Sequence, residues 1–488
     1  MGRLYNWGCA MVAGSGSMLY GYDAAIIAST FAQTGFIDYF KPSATVMGAI
    51  GSSYFGGVVL GLIIVTMIAQ KLGRKRSIQL GGVIGLIGAI MQTAAQNIAV
   101  FFVGRVIAGA ASGIMLTTVN VYQSEIAPPG ERGAMVAFQL LVLSGAGGLA
   151  SWVGFACNFS SNVTFSWRFP IALQTLPALA LIIGCFFIPF SPRWLISRDR
   201  HAEAQAVLKR LHDDHKDELF WEREYLQISA QLAEEAREKV DASWFHILTN
   251  KREAKRLLVA VAALTLLQTN GAQTIQVYQA VLYGNLGFST RQTLLMAGVF
   301  QIILTVGCLA GLLLVDRVGR RALLLGSFVI LSICLGIFAA CTAKYEATGN
   351  SSFGKGGVAI VMIFIFFFGS VSGVPYVYAA EVLPTKNRAV GFAMGLFCSN
   401  AITIIFTQTA PMALAAISWK FNFVFIACNA FFFPIVYFFF PETKGLTLEE
   451  VNAVFGDKVE VELSNISDEK AREEIIDTAE HVKSAESA

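Results

Sequence analysis

Gly73-Arg74-Lys75, set between two long apolar runs, returns 246 residues later as Gly319-Arg320-Arg321. Three further landmarks repeat at nearly the same interval. Glu125 with Arg132 returns as Glu381 with Arg388, at 256. Ser166-Trp167-Arg168-Phe169 returns as Ser418-Trp419-Lys420-Phe421, and Pro189 returns as Pro441, both at 252. A nearly regular interval marks a duplicated unit. This unit is far longer than a solenoid repeat and almost wholly apolar, so two halves of a membrane protein with a pathway between them are expected.

The composition agrees. Of 488 residues, 55% are hydrophobic and only 14% charged, where soluble domains carry about 25% charged residues. A bilayer core needs about 20 apolar residues per helix. Twelve segments supply them, at roughly 6–30, 45–69, 77–95, 99–122, 134–156, 170–190, 257–281, 292–315, 321–343, 357–381, 389–413 and 420–440. The expected fold is an all-α membrane protein, with twelve transmembrane helices in two pseudo-symmetric six-helix bundles. Residues 1–190 form the first bundle and 257–445 the second. Between them, 191–256 carry apolar residues at helical spacing among charges, the pattern of short amphipathic helices. Residues 446–488 form a polar, acidic tail that opens on one short helix pattern, Leu446 to Phe455.

Orientation follows from Lys and Arg in the short connections. Arg3, Lys71, Arg74, Lys75, Arg76, Arg132, Arg317, Arg320, Arg321, Lys386 and Arg388 fall on one side. Only Lys41, Arg168, Arg291, Lys344, Lys355 and Lys420 fall on the other. Eleven against six places the termini and the central loop in the cytoplasm. The sequons at Asn158, Asn162 and Asn350 then lie outside as candidate glycosylation sites. A net charge of +3 points to no nucleic-acid partner. The eight cysteines sit singly, without metal or disulfide spacing. No nucleophile–base pair, metal cluster or cofactor motif emerges, and all five histidines fall in cytoplasmic segments, which argues against an enzyme.

Ionisable groups inside a bilayer are costly and functional by default. Two lie well inside the spans, Asp23 in span 1 and Arg105 in span 4, each about seven residues or fewer from the outer end of its helix. At 1.5 Å per residue both sit roughly 10 Å deep, so they are expected to pair. Positions 252 residues on are Ile275 and Gly357, so the second half has no counterpart. Charge in one half only suggests a task, proton coupling, against the plainer reading of a permanent salt bridge. At the inner face, Glu125/Arg132 and Glu381/Arg388, with Arg74 and Arg320, are expected to form a cytoplasmic gate of ion pairs across the halves.

Span 7 carries Gln268, Asn270, Gln273, Gln276 and Gln279, and four of these glutamines share a sector of about 140° at 100° per residue. A face of amides in a membrane helix must meet partners or water, which suggests a polar cavity, with Gly271 letting the helix unwind.

Together Gly21-Tyr22-Asp23, Gly104-Arg105, Glu125…Pro128…Arg132-Gly133, Ser191-Pro192-Arg193-Trp194-Leu195, Asp316-Arg317-Val318-Gly319-Arg320-Arg321, Glu381…Pro384…Arg388 and Pro441-Glu442-Thr443-Lys444-Gly445 carry a resemblance. Over about residues 6–456 the chain resembles the sugar porter branch of the major facilitator superfamily, with the texture of fungal members. The resemblance implies alternating access around a polyhydroxylated solute at the midplane. It puts Gln139, Gln268, Gln273, Tyr278 and Asn400 at sugar-contact positions, and Tyr376 where a cavity tryptophan is often found. The chain departs from the pattern at several places. The family's double Gln reads Leu267-Gln268, its next Asn is Gln273, the span-8 Asn aligns near Leu304 with Gln301 a turn earlier, and Ala401 replaces a Trp beside Asn400. The first-half motif, Gln70 to Lys75, lacks its Asp.

The expected activity is therefore movement of a sugar (hexose, pentose, disaccharide or polyol) in the plasma membrane, as a proton-coupled symporter or a facilitative uniporter. Two alternatives stand beside it: transport of a non-sugar polar metabolite on the same scaffold, and a transporter-like nutrient sensor.

Overall fold

The computed structural model describes residues 2–127, 132–211, 220–237, 251–383, 388–444 and 455. Among these the chain is helical throughout, with no strand. The first half runs through α1 (Gly2–Ala32), α2 (Thr34–Phe40), α3 (Ala44–Thr93), α4 (Ile98–Ile126), α5 (Arg132–Cys157), α6 (Val163–Ala172) and α7 (Thr175–Gly184). Next come α8 (Pro192–Ile196), α9 (His201–Leu211) and α10 (Phe220–Arg237). The second half follows with α11 (Lys251–Thr269), α12 (Ala272–Asn285), α13 (Thr290–Val318), α14 (Arg320–Thr348), α15 (Ser351–Val371), α16 (Val374–Val382), α17 (Arg388–Ile417) and α18 (Asn422–Phe439).

Nine apolar helical stretches among the described residues are long enough to cross a bilayer. Two of them hold 50 residues, Ala44–Thr93 and Val390–Phe439. A straight helix of that length would run about 75 Å, against a hydrocarbon core of about 30 Å. The first reverses at Gly73, whose φ of 78° a side chain would strain. The second breaks at Ser418, with φ of 44°. Each therefore crosses twice, and with Gly2–Ala32 the passes number twelve.

Helix starts follow the side chains that cap them. Ser43, Asn97, Asn162 and Asn350 each accept a backbone N–H of the first turn, and Ser289 forms a capping box with Gln292. All five starts lie on the side opposite the basic cluster, here called the far side. On the basic side the turn into α14 is held by Glu442, whose carboxylate accepts the Arg320 and Arg321 N–H groups at 2.9 and 3.1 Å.

The duplication is visible in the packing. A Cβ at Gly57 or Gly61 would lie within 2.2 Å of the carbonyl of Val106 or Ala110 in α4. Gly307 and Gly311, 250 residues on, meet the carbonyls of Phe366 and Ser370 in α15 in the same way. Small residues let helix backbones approach where lipid gives no hydrophobic drive between them.

The core shows how the halves meet. One apolar cluster draws on both, with Phe31, Phe36, Tyr54 and Trp167 from the first and Tyr278, Tyr283, Phe300 and Phe421 from the second. On the basic side each half keeps a separate cluster, around Met115, Tyr122 and Leu181 in one and Leu266, Phe328 and Tyr378 in the other. The connecting segment forms the expected amphipathic helices. Trp194, Leu195, Ile196 and Ala204 of α8 and α9 are covered by Tyr225, Ile228 and Leu232 of α10. The helix pattern expected at 446–454 lies outside the described residues; Phe455 packs over the Arg256 guanidinium at 5.0 Å.

Candidate functional site

Asp23 and Arg105 meet as their equal depth predicts. Arg105 Nη1 lies 3.6 Å from Asp23 Oδ1, with both side chains 1% exposed, and donates to the Asp23 backbone carbonyl at 3.1 Å. The guanidinium sits 4.5 Å from the centroid of Tyr54, a cation–π contact that a dry site strengthens. Asp23 Oδ1 and Arg105 Nε have no hydrogen-bond partner. The pair is thus close enough for strong Coulombic attraction yet incompletely hydrogen-bonded, and breaking it would strand two buried charges.

Span 7 divides into α11 and α12 at Gly271, with φ of 88° and ψ of −9°. Asn270 Oδ1 bridges the break by accepting the Ala272 N–H at 2.9 Å. A Cβ at Gly271 would reach within 2.8 Å of the Phe425 ring, so both φ and space require glycine. The basic-side portion, α11, packs on α16, α17 and α18 of its own half. The far-side portion, α12, packs on α1 across the halves.

The amides separate into two groups. Gln268 and Gln273 are half-buried. Gln139 of α5 is buried with its Oε1 unpartnered, and Gln279 shares that condition. Gln276 Nε2, by contrast, reaches Gln301 Oε1 at 3.3 Å. Gln301 is buried against Gly147 of α5, where a Cβ would meet its Nε2 at 2.2 Å. That amide therefore lies where the halves touch. The sequence signal for it was a lone amide in an apolar span, one turn from the position the family pattern favours.

Three residues expected at the solute also make contacts within the protein. Tyr278 is fully buried; its hydroxyl donates to Thr407 O at 2.7 Å and lies 3.3 Å from Met47 O. Its ring stacks on Phe31 with centroids 5.9 Å apart, so it joins the halves on the far side. The φ of −108° and ψ of 17° at Tyr278 depart from helical values. Asn400 Nδ2 donates to Leu396 O of its own helix at 2.8 Å. Tyr376, half-buried, faces Phe392 with centroids 6.3 Å apart. Farther out, Gln408 Oε1 accepts from Ser52 Oγ at 2.7 Å, and Gly48 lets the two helices close up.

On the basic side two ion pairs among the described residues lie within a half. Arg74 Nη2 meets Glu125 at 2.8 Å, and Arg320 Nη2 meets Glu381 at 3.1 Å, each within one half. Each arginine follows the turn glycine of its own bundle, and that turn aims it at the neighbouring helix. The side chains of Arg132 and Arg388 lie outside the described residues. The second half adds Thr443 Oγ1, which donates to Glu381 Oε2 at 2.6 Å. At the place equivalent to Glu442, 252 residues earlier, the first half has Phe190. Phe190 stacks on Trp194, with Lys75, Arg76 and Arg200 within 5.6 Å of its ring centroid.

A family model described as "Sugar (and other) transporter" matches residues 9–455. The chain belongs to that family. Among its relatives, the MFS-type transporter criB of Aspergillus cristatus is 30% identical, covering 97% of this chain and 98% of its own. The high-affinity glucose transporter of Kluyveromyces lactis is 29% identical, covering 94% and 86%. The inward-open xylose transporter XylE from E. coli superposes with a TM-score of 0.76 at 19% identity, covering 92% and 99%. XylE as a proton:xylose symporter, bound to 6-bromo-6-deoxy-D-glucose, gives 0.74 at 21%, covering 93% and 100%. The sugar transporter family thus accounts for the twelve-helix fold, and its members are transporters, not enzymes.

Among the sequence-predicted residues, Asn162 and Asn350 are exposed helix caps on the far side. Asn158 is half-buried, with Nδ2 donating to Gln33 Oε1 at 3.1 Å.

Proposed function

We propose that this protein is a proton-coupled importer of a sugar or polyol, working by alternating access in the plasma membrane. Hydrogen-bonding capacity that the protein leaves unused carries the reading: the buried, unpartnered Gln139 Oε1 of the first half faces the same task as the half-buried Gln268 and Gln273 of the second. An unmet buried acceptor costs about 1–3 kcal/mol. Hydroxyl donors of a polyhydroxylated solute relieve that cost, and the neutral amides suit such a solute better than an ionised one.

The separation of the core on the basic side supports an inward-facing state, with the far side shut through Tyr278, Gln301 and Gln408. The cycle then opens those far-side contacts while the basic-side ends approach. Asp23 takes a proton from outside, Arg105 loosens its hold, and the change in that buried pair favours one arrangement of the halves over the other. The sugars moved by relatives named as glucose and xylose transporters support this class of solute. Asn162 and Asn350 are the sequons best placed to carry glycans.

Uptake of a labelled panel of hexoses, pentoses, disaccharides and polyols in transporter-deficient cells, with and without a protonophore, tests the reading. Accumulation of at least one compound, collapsed by the protonophore, is the expected outcome. Rejection of every sugar and polyol would move the assignment to a non-sugar polar metabolite, the solute class that Ala401 and Leu267 leave room for.

A further inference from the structure

Away from the solute pathway, a cavity of about 260 Å³ opens where the basic side of the second half meets the bilayer. At about 30 Å³ per water it holds on the order of nine, the scale of one phosphodiester headgroup. Two cations line it: Lys255, one turn into α11, and Arg321, at the start of α14. Among the described residues no carboxylate pairs with Lys255, whose side chain is exposed. Arg321 Nη2 donates to Tyr437 O at 2.5 Å, and its buried Nε has no partner. The nearby acid, Glu442, is already saturated, accepting the N–H groups of Arg320, Arg321, Thr443 and Lys444. The other wall is aromatic and faces outward, with Tyr437 51%, Phe438 75% and Phe439 57% exposed.

We propose that this cavity binds the headgroup of an anionic phospholipid of the adjoining leaflet. Cations at the aqueous end would meet the phosphate, and exposed aromatics at the membrane end would lie along the glycerol and first methylenes. Both charges sit at the cytoplasmic level that the distribution of Lys and Arg assigns. A bound lipid would bridge α11, the basic-side portion of span 7, to the end of α18. The lipid is favoured over a soluble phosphate because three of the lining side chains offer apolar surface that a free anion cannot use.

The full-length protein, purified in detergent, is titrated with dioctanoyl phosphatidylserine, dioctanoyl phosphatidylcholine and inorganic phosphate, and binding is followed by thermal shift and native mass spectrometry. Phosphatidylserine is expected to raise the melting temperature saturably, with the other two probes giving little shift at equal concentration. Lys255→Gln is expected to weaken the phosphatidylserine effect about fivefold, the share of one interfacial cation, and Arg321→Gln is expected to weaken it similarly. Lys255 is exposed, so its variant keeps the fold; an unchanged melting temperature without lipid verifies this. Equal shifts from both lipids, no saturable shift, or full phosphatidylserine binding by Lys255→Gln would overturn the proposal. A phosphate shift matching that of phosphatidylserine would overturn its lipid component and leave an anion site.

Discussion

At the scale of single residues, Asp23 and Arg105 were legible because charge in an apolar span is rare and helix rise converts position into depth. Their contact at 3.6 Å follows that arithmetic. Asp23→Asn removes the carboxylate partner and leaves Arg105 with the backbone carbonyl of position 23 and the Tyr54 ring. Uphill accumulation is expected to be lost while exchange of labelled for unlabelled solute persists, measured side by side in proteoliposomes. The sign with pH follows: wild-type uptake rises as the outer solution is acidified, whereas uptake by Asp23→Asn stays level. Gln139→Ala should raise KM about fivefold to tenfold, the worth of one hydrogen bond of about 1–1.5 kcal/mol, with the purified protein's melting temperature nearly unchanged. Tyr278 was less legible. Its family position implied a solute contact, and its hydroxyl bonds the Thr407 carbonyl and lies near that of Met47, contacts that no sequence signal announced.

At the scale of elements, the spans could be read to within a few residues at most ends from apolar length, whereas their breaks could be read only where a residue type announced them. Gly271 announced one, and span 7 does divide there. Span 10 divides between α15 and α16, before Pro375, and span 6 between α6 and α7, neither of which hydropathy displays. Gly271→Ala is expected to cost about 1–3 kcal/mol through its left-handed φ, and the Phe425 ring adds to the loss. A lower melting temperature together with slower transport is the expected result, read by thermal unfolding and initial-rate uptake. An alanine variant with unaltered stability would mean that the break is not a fixed feature of span 7.

For the whole molecule, the duplication foretold both bundles and the turn glycines, but not which ends of the halves would be in contact. That depends on small differences among side chains at the interface, such as Gln408 against Ser52 and Gln301 against Gly147, spread over spans far apart in sequence. Cysteines placed at Ser52 and Gln408 should form a disulfide that stops uptake and is reversed by reductant, with either single variant remaining active. Transport that continues through the cross-linked protein would show that the far side need not open.

The two bundles also differ underneath. Beneath the turn of the second half lies a carboxylate, Glu442, bound to four N–H groups and flanked by arginines; beneath the turn of the first lies the ring of Phe190 on Trp194. Raised ionic strength weakens attraction between partly exposed ions and leaves ring stacking nearly untouched. Added salt is therefore expected to weaken the hold of Glu442 while leaving the Phe190–Trp194 stack nearly untouched, so that two copies of one ancestral repeat respond unequally to it.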